Sequence, residues 1–200
     1  MTDQPRAAPG AWWLVSIVLV ASNLRPVIAS VPPLVDRLVA VFGLSSVAAG
    51  ALTTLPVVCM GLFAPTAALA ARRFGDATVL TGAVGLIAVG AAVRAVGGLV
   101  GLYGGTAVAG IGIAVAGALL PTFVRSRTPD RIGPITGIYT ATLIFGAFVA
   151  SGLTEPLREA FGWSPQAVLA LWTLPAEVAL AVWMFIPQPP SPASTSPAST

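Results

Sequence analysis

Histidine and lysine are absent from this chain, and it has a single cysteine, Cys59. These absences exclude a disulfide within the chain, a Cys/His metal site and the lysine of a phosphate-binding loop. Charge of either sign is also scarce. Only 8% of residues are charged, against about 25% in soluble domains. Such a chain cannot clothe a water-facing surface. It has no H-E-x-x-H, no G-x-S-x-G and no paired aspartates within an apolar run, so it is not expected to be an enzyme. The "GIG" at 110–112 lacks a third glycine and a preceding strand, so no dinucleotide is expected. Neither a cofactor nor a metal is expected.

Hydrophobic residues fill the space that charge leaves. They make up 56% of the 200 residues, and the mean hydropathy is +0.90. The principal solvent is therefore expected to be a lipid bilayer. The net charge of +3 and pI near 10.0 raise the question of nucleic acid. The ten arginines are scattered at segment ends and form no stripe, so no nucleic-acid partner is expected.

A bilayer crossing needs about 20 apolar residues. Six segments qualify: about 11–35, 45–71, 77–96, 99–124, 132–156 and 164–187. The first opens on Trp12 and Trp13, the second has Ser45 or Ser46 as N-cap, and the sixth has Trp163 at one edge and Trp183 near the other. The third and fourth are separated only by Arg94, Gly97 and Gly98. The first run is too long for a signal-peptide core and carries Arg25 within it, so no cleavable leader is expected.

Arginine placement suggests orientation. With the N-terminus (1–10) in the cytoplasm, Arg6, Arg72, Arg73, Arg125, Arg127 and Arg131 lie inside, and Arg37, Arg94 and Arg158 outside. Both ends are then cytoplasmic, and the Pro/Ser/Ala/Thr tail at 188–200 is expected to be disordered. In span four Gly101, Gly105, Ala109, Gly112 and Ala116 recur at helical spacing. A stripe without bulk either glues helices closely or lets one rock on another.

The residues "NLRP" at 23–26 stand out. An arginine at mid-bilayer costs about 2.5 to 3.5 kcal/mol unless it finds water, a partner or a ligand. Pro26 removes an N–H, frees the Ser22 carbonyl and disfavours helical geometry at Arg25. Pro32 and Pro33 repeat the disturbance. Freed carbonyls at membrane depth are tolerated only against protein or water. Val18, Ser22, Arg25, Ala29 and Pro32 fall on one helical face suited to a cavity, and Asn23 points away from it. Arg25 either binds an anionic or strongly polar solute or pins helices through backbone carbonyls. Thr53, Thr54, Thr106, Tyr139, Thr140, Thr142 and Ser151 are further polar groups within spans, and Tyr139 combines a ring with a polar tip. Cys59 reads as a small apolar filler. Glu177 in span six either pairs with Arg25, carries a coupling proton, or faces a protein neighbour.

Taken together, "NLRP", "LTTLPVVCMGLFAP" (52–65), "ARRFG" (71–75), "GIGIAVAGALLP" (110–121) and "PDRIGPITGIYT" (129–140) carry a resemblance. From about 14 to 187 the chain resembles the cyanate permease/2-nitroimidazole transporter (CynX/NimT-type) branch of the major facilitator superfamily, in its N-terminal half. The resemblance implies an all-α membrane protein, with six transmembrane helices forming one half-bundle of two three-helix repeats. It implies alternating access around a central cavity, with Arg25 on a cavity helix and Glu177 on a peripheral one. The family's loop after helix two resembles G-x-x-x-D-R-x-G-R-R. Here Arg73 and Gly75 keep their places, while Ala68, Arg72 and Asp76 depart from it. Gly117 stands where relatives often carry an amide.

The resulting expectation is a half-transporter of a small polar or anionic solute in the cytoplasmic membrane. Arg25, Asn23, Thr53, Thr54 and Tyr139 are the substrate-binding candidates, and Pro26, Pro56 and Pro121 (with Pro65) the hinges. Glu177 is the coupling candidate, and Arg72, Arg73 and Gly75 form the cytoplasmic loop. A second six-helix half, from a homodimer or a separate chain, would complete it. The alternative is a truncated, non-transporting protein that packs with or modulates a full-length carrier.

Overall fold

Proline governs the path of the first crossing. In a computed structural model describing residues 11–128 and 131–185, α1 (Ala11–Leu24) stops one residue before Pro26, and Arg25 forms a turn. A single helical turn follows, α2 (Pro26–Ala29). Pro32 and Pro33 then open a 3-10 turn, Pro32–Leu34, before α3 (Val35–Phe42) completes the crossing. Gly43, at φ 62°, ends α3 in the left-handed region that glycine enters without strain. The segments 1–10 and 188–200, Arg6, and the side chains of Trp12 and Trp13 lie outside what is described.

The remaining crossings are α4 (Ser46–Phe74), α5 (Asp76–Val96), α6 (Gly98–Arg127), α7 (Ile132–Phe161), and the pair α8 (Pro165–Leu171) and α9 (Thr173–Phe185). Ser45 caps α4, its Oγ accepting the Ala48 N–H at 3.2 Å. Ser164 caps α8 by accepting the Ala167 N–H. Six crossings are long and apolar enough to span a membrane, so the chain is a multi-pass membrane protein. The first crossing runs on through α3 to Phe42, beyond the expected end near 35, and two later spans differ as well. The fifth span runs past Pro156 to Phe161, because a helix tolerates a proline where neighbouring groups absorb the lost bond. The sixth is broken at Trp172, three residues before Pro175.

α5 and α6 form the tightest pair. The glycine stripe of α6 lies directly on α5: a Cβ on Gly90 would sit 2.6 Å from the Gly105 carbonyl oxygen, and one on Gly112 would meet the Ala83 carbonyl oxygen at 2.5 Å. Backbone touches backbone here, which is the close-packing reading of the stripe. α4 packs on the other side of α6, while α1 lies between α7 and α9. The main core joins Ile17, Val20 and Leu24 of α1 to Leu80, Val84 and Ile87 of α5 and Ile113, Leu120 and Phe123 of α6. A smaller cluster of Leu34, Leu38, Leu52, Leu102 and Leu169 closes the end nearest α3.

Trp183, expected near a membrane edge, is 1% exposed. Its indole N–H donates to Thr81 Oγ1 at 2.9 Å, and its ring lies 5.7 Å from that of Phe123. A partner for the indole nitrogen and an aromatic neighbour make the interior the better place for it. Trp163 remains half exposed and stacks on Phe161 at 4.9 Å. At the same end Arg37 of α3 meets Glu155 of α7 at 3.2 Å, and Arg158 meets Glu155 at 2.8 Å, tying the first crossing to the fifth.

α4 and α7 are left uncovered along much of their length. Of the most apolar stretch of α7, 11% is buried in the bundle, against 56% for α6. Leu62 and Leu69 of α4, and Ile144, Phe145 and Phe148 of α7, are exposed.

The contact between α5 and α6 makes a quantitative contrast. Gly90→Ala forces backbones apart and should cost about 1–3 kcal/mol. Gly85→Ala, on the same helix with nothing within 4 Å, should be neutral or slightly stabilising. Thermal unfolding of the two variants in one detergent checks the difference.

Candidate solute-binding cavity

The break at Arg25 turns that side chain away from the core. Arg25 is exposed, and its guanidinium makes no hydrogen bond or ion pair with any described residue. It lines a cavity of about 290 Å³ bounded by four crossings. α1 contributes Leu24 and Arg25, α4 Met60 and Ala64, α6 Ile113 and Gly117, and α7 Tyr139 and Leu143. Met60 stands at the middle of the 29-residue α4, so the cavity lies near mid-depth.

The cavity wall is apolar apart from a few groups. Arg25 supplies five donors and a fixed charge. Tyr139 is half-buried beside it. Gly117 carries a carbonyl without an i+4 helical N–H partner, because Pro121 stands four residues later. Gly117 also leaves the wall open where any side chain would narrow it, since a Cβ there meets only Leu24 at 3.9 Å. A fixed charge with donors, a phenol and an apolar surround form the usual composition of a small-molecule site.

The other expected site residues are placed elsewhere. Asn23 is buried on the far side of α1, where it lines a groove with Trp172, Pro175 and Val178. Its Nδ2 donates to the Leu19 carbonyl at 2.7 Å, so Asn23 does not share the Arg25 cavity. A 100° step per residue carries it off the cavity face. Thr53 and Thr54 both donate to the Gly50 carbonyl, at 2.9 and 3.1 Å. Thr53 lies two turns from Met60 on the same face of α4; Thr54 is turned off it. Neither reaches the cavity wall. Glu177 is exposed on α9, beside exposed Leu174 and Val178, and makes no ion pair with Arg25. The intervening α1 separates them, since α9 packs on the other side of that helix.

The expected single face of the first span is divided as well. Val18 faces an apolar groove with Ile135 and Ile138, Ser22 faces the α9 groove, and Arg25 alone reaches the cavity. The break rotates the register between Ser22 and Ala29. Of the hinge candidates, Pro26 marks that break, while Pro56 and Pro121 lie inside uninterrupted helices, as does Pro65. Arg72 and Arg73 end α4, and Gly75 at φ 84° is the single residue linking it to α5. Arg72 lines a groove with Asp76 and Thr122, and Arg73 lies over the Phe74 ring. Cys59 is buried between helices, its thiol 3.7 Å from the Ala107 carbonyl. Thr106 and Thr142 donate to carbonyls of their own helices.

One functional-looking residue escaped the sequence. Arg94 sits within α5 and is 1% exposed. Its Nη1 donates to the Val27 carbonyl, and its Nη2 lies 3.4 Å from Ser30 Oγ. Pinning through carbonyls, one of the two roles open to Arg25, is therefore performed by Arg94. Ser151 of α7 donates to the Ala29 carbonyl, which Pro33 deprives of its helical N–H, at 3.1 Å. The Ser22 carbonyl, freed by Pro26, faces Gly146, where a Cβ would intrude to 2.6 Å.

Solved structures share this fold. The inward-open xylose transporter XylE of Escherichia coli superposes with a TM-score of 0.76 at 18% identity, over 90% of this chain and 48% of that one. The major facilitator superfamily proton:xylose symporter XylE bound to 6-bromo-6-deoxy-D-glucose gives 0.72 at 19%, over 88% and 45%. The chain has the fold of a major facilitator half-bundle. No protein-family model matches this half-bundle. Three curated transporters do. The 2-nitroimidazole transporter of Escherichia coli (strain K12) is 36% identical over 176 residues, 88% of this half-bundle chain and 44% of that protein. The uncharacterized transporter YycB of Bacillus subtilis (strain 168) is 33% identical over 88% of the chain, and the cyanate transport protein CynX of E. coli 33% over 85%. The chain spans about 44% of the length of these curated relatives. They are transporters, not enzymes.

Ser151→Ala leaves the Ala29 carbonyl without its donor and should lower stability by about 1 kcal/mol. Ser151→Thr, which keeps the hydroxyl, should lower it less. Thermal unfolding in detergent checks both.

Proposed function

We propose that this chain forms the N-terminal half of a secondary transporter of major facilitator type. It moves a small polar or anionic solute, such as a cyanate- or nitroimidazole-like compound, across the cytoplasmic membrane by alternating access. The N- and C-termini face the cytoplasm. The observation that carries this reading is the exposed Arg25 guanidinium at mid-depth, beside Tyr139 and Gly117, without an acidic partner among the described residues. A fixed charge there would be a standing cost in a purely structural protein. Against an anionic or strongly dipolar solute it becomes binding energy. Names of relatives that carry 2-nitroimidazole and cyanate favour such solutes.

In the proposed mechanism, Arg25 attracts the solute and donates hydrogen bonds to it, and Tyr139 orients it. Asn23, Thr53, Thr54 and Glu177 lie away from the cavity and are given no contact with the solute. The bare faces of α4 and α7 meet a second six-helix half, supplied by a second copy, a separate chain or further sequence of the same protein. Rocking of the halves exposes the cavity to each side in turn. Pro26 is the bend nearest the site, and Pro56 and Pro121 soften the two helices that flank it.

A second reading is a non-transporting half whose bare α4 and α7 faces pack against a full-length carrier. Reconstitution into liposomes with and without a candidate second half separates the two. Uptake that depends on both components favours the transporter. Arg25→Ala should abolish uptake of labelled cyanate or 2-nitroimidazole while membrane insertion stays intact, and Arg25→Lys should retain part of it. Undiminished uptake in Arg25→Ala would remove the basis of the proposed mechanism.

A further inference from the structure

α2 is four residues long and has a break on either side. One helical turn has no stability of its own, because nucleation costs more than its bonds return. Its direction must be imposed by neighbours. Arg25 is the N-cap residue of that turn, so whatever orients α2 also aims Arg25.

Two side chains from other crossings hold α2 by its polar groups. Ser151 donates to the Ala29 carbonyl from α7. From the opposite side Arg94 donates to the Val27 carbonyl and approaches Ser30 Oγ. The arginine is the stronger grip, since its donors carry charge. It is also the more rigidly mounted. Its backbone nitrogen lies where a Cβ on Gly105 would come within 2.5 Å, in the close α5–α6 seam. The guanidinium has no carboxylate partner among the described residues, and its Nε is unpaired. A buried cation held only by carbonyl and hydroxyl dipoles is costly where leucine or methionine would pack.

We infer that Arg94 is a positioning residue: it fixes the direction in which Arg25 enters the cavity. It touches no solute itself. Its importance for transport rests on the reading of Arg25 given above, but its geometric effect does not.

The thiol content of the chain allows a direct test. Cys59 is the only cysteine, so Cys59→Ser with Arg25→Cys places one reactive thiol at the cavity. In membrane vesicles, the labelling rate by a membrane-impermeant methanethiosulfonate reports its direction. Adding Arg94→Met should slow labelling about tenfold, the effect of losing a charged hydrogen bond, and Arg94→Lys should restore most of the rate. Leu80→Ala, a buried cavity variant at the other end of α5, should leave it unchanged. If Arg94→Met fails to insert, Arg94→Gln and Ser30→Ala take its place, with smaller slowing expected. An unchanged rate in the Arg94 variants, or equal slowing in Leu80→Ala, overturns the assignment. With Arg25 and Cys59 restored, Arg94→Lys should raise the half-saturating concentration of cyanate or 2-nitroimidazole while keeping most of the maximal rate. Slowed labelling with no uptake of either solute by any form reconstituted with a second half, the unsubstituted chain included, counts against the transport reading and leaves the role of Arg94 standing.

Discussion

Backbone carbonyls that have lost their helical partners cannot stay bare in hydrocarbon, and this constraint organises the first crossing. Three prolines between residues 26 and 33 each remove an N–H. The consequences are distributed over other helices. Gly146 lets α7 close over Ser22, and Ser151 of α7 reaches Ala29; Arg94 of α5 reaches Val27, whose i+4 N–H, at Val31, bonds to Ile28 in the distorted stretch. A kink in α1 is thus held by contacts from both sides. Removing the prolines would make those contacts redundant; removing the contacts would leave the kink unsupported.

The rest of the bundle divides into a tight part and an open part. Glycine and alanine bring α5 and α6 into backbone contact, and α9 closes them from behind with Trp183 bonded to Thr81. α4 and α7 flank the cavity and remain largely uncovered. The cavity-lining groups therefore sit at the boundary between the packed helices and the bare face. The proposed carrier role suits that arrangement, with the cavity rigid on one wall and open to completion by another surface on the second.

Much of this was legible in the residues. Long apolar runs gave the six crossings, and Arg25 beside Pro26 marked both the break and the cavity. What hid was side-chain direction across helices. Arg94 looked like a connector residue because Gly97 and Gly98 follow it closely. Yet Gly90 and Gly97 share its face with Gly101 and Gly105 opposite, a pattern of small residues that marks a buried seam. Trp183 carried an interfacial residue's signature, but its neighbour Thr81 is 102 positions away in sequence. Asn23 and Thr54 have the right chemistry; the helical turn of two residues keeps Asn23 from the cavity, and Thr54 is both off the Met60 face and nearly two turns from it. Hydropathy is blind to that rotation.

The turns between the middle crossings leave almost no slack. Gly75 alone separates α4 from α5, and Gly97 alone separates α5 from α6. The two Cα–Cα steps across one residue reach at most about 7 Å even when extended, most of it already used in joining the helix ends, so a further 5.4 Å for one helical turn is out of reach. Sliding any of these three past its neighbour like a piston is therefore forbidden by the length of the chain itself. Tilting about the fixed ends is the only large displacement left to them, and they would tilt as one panel.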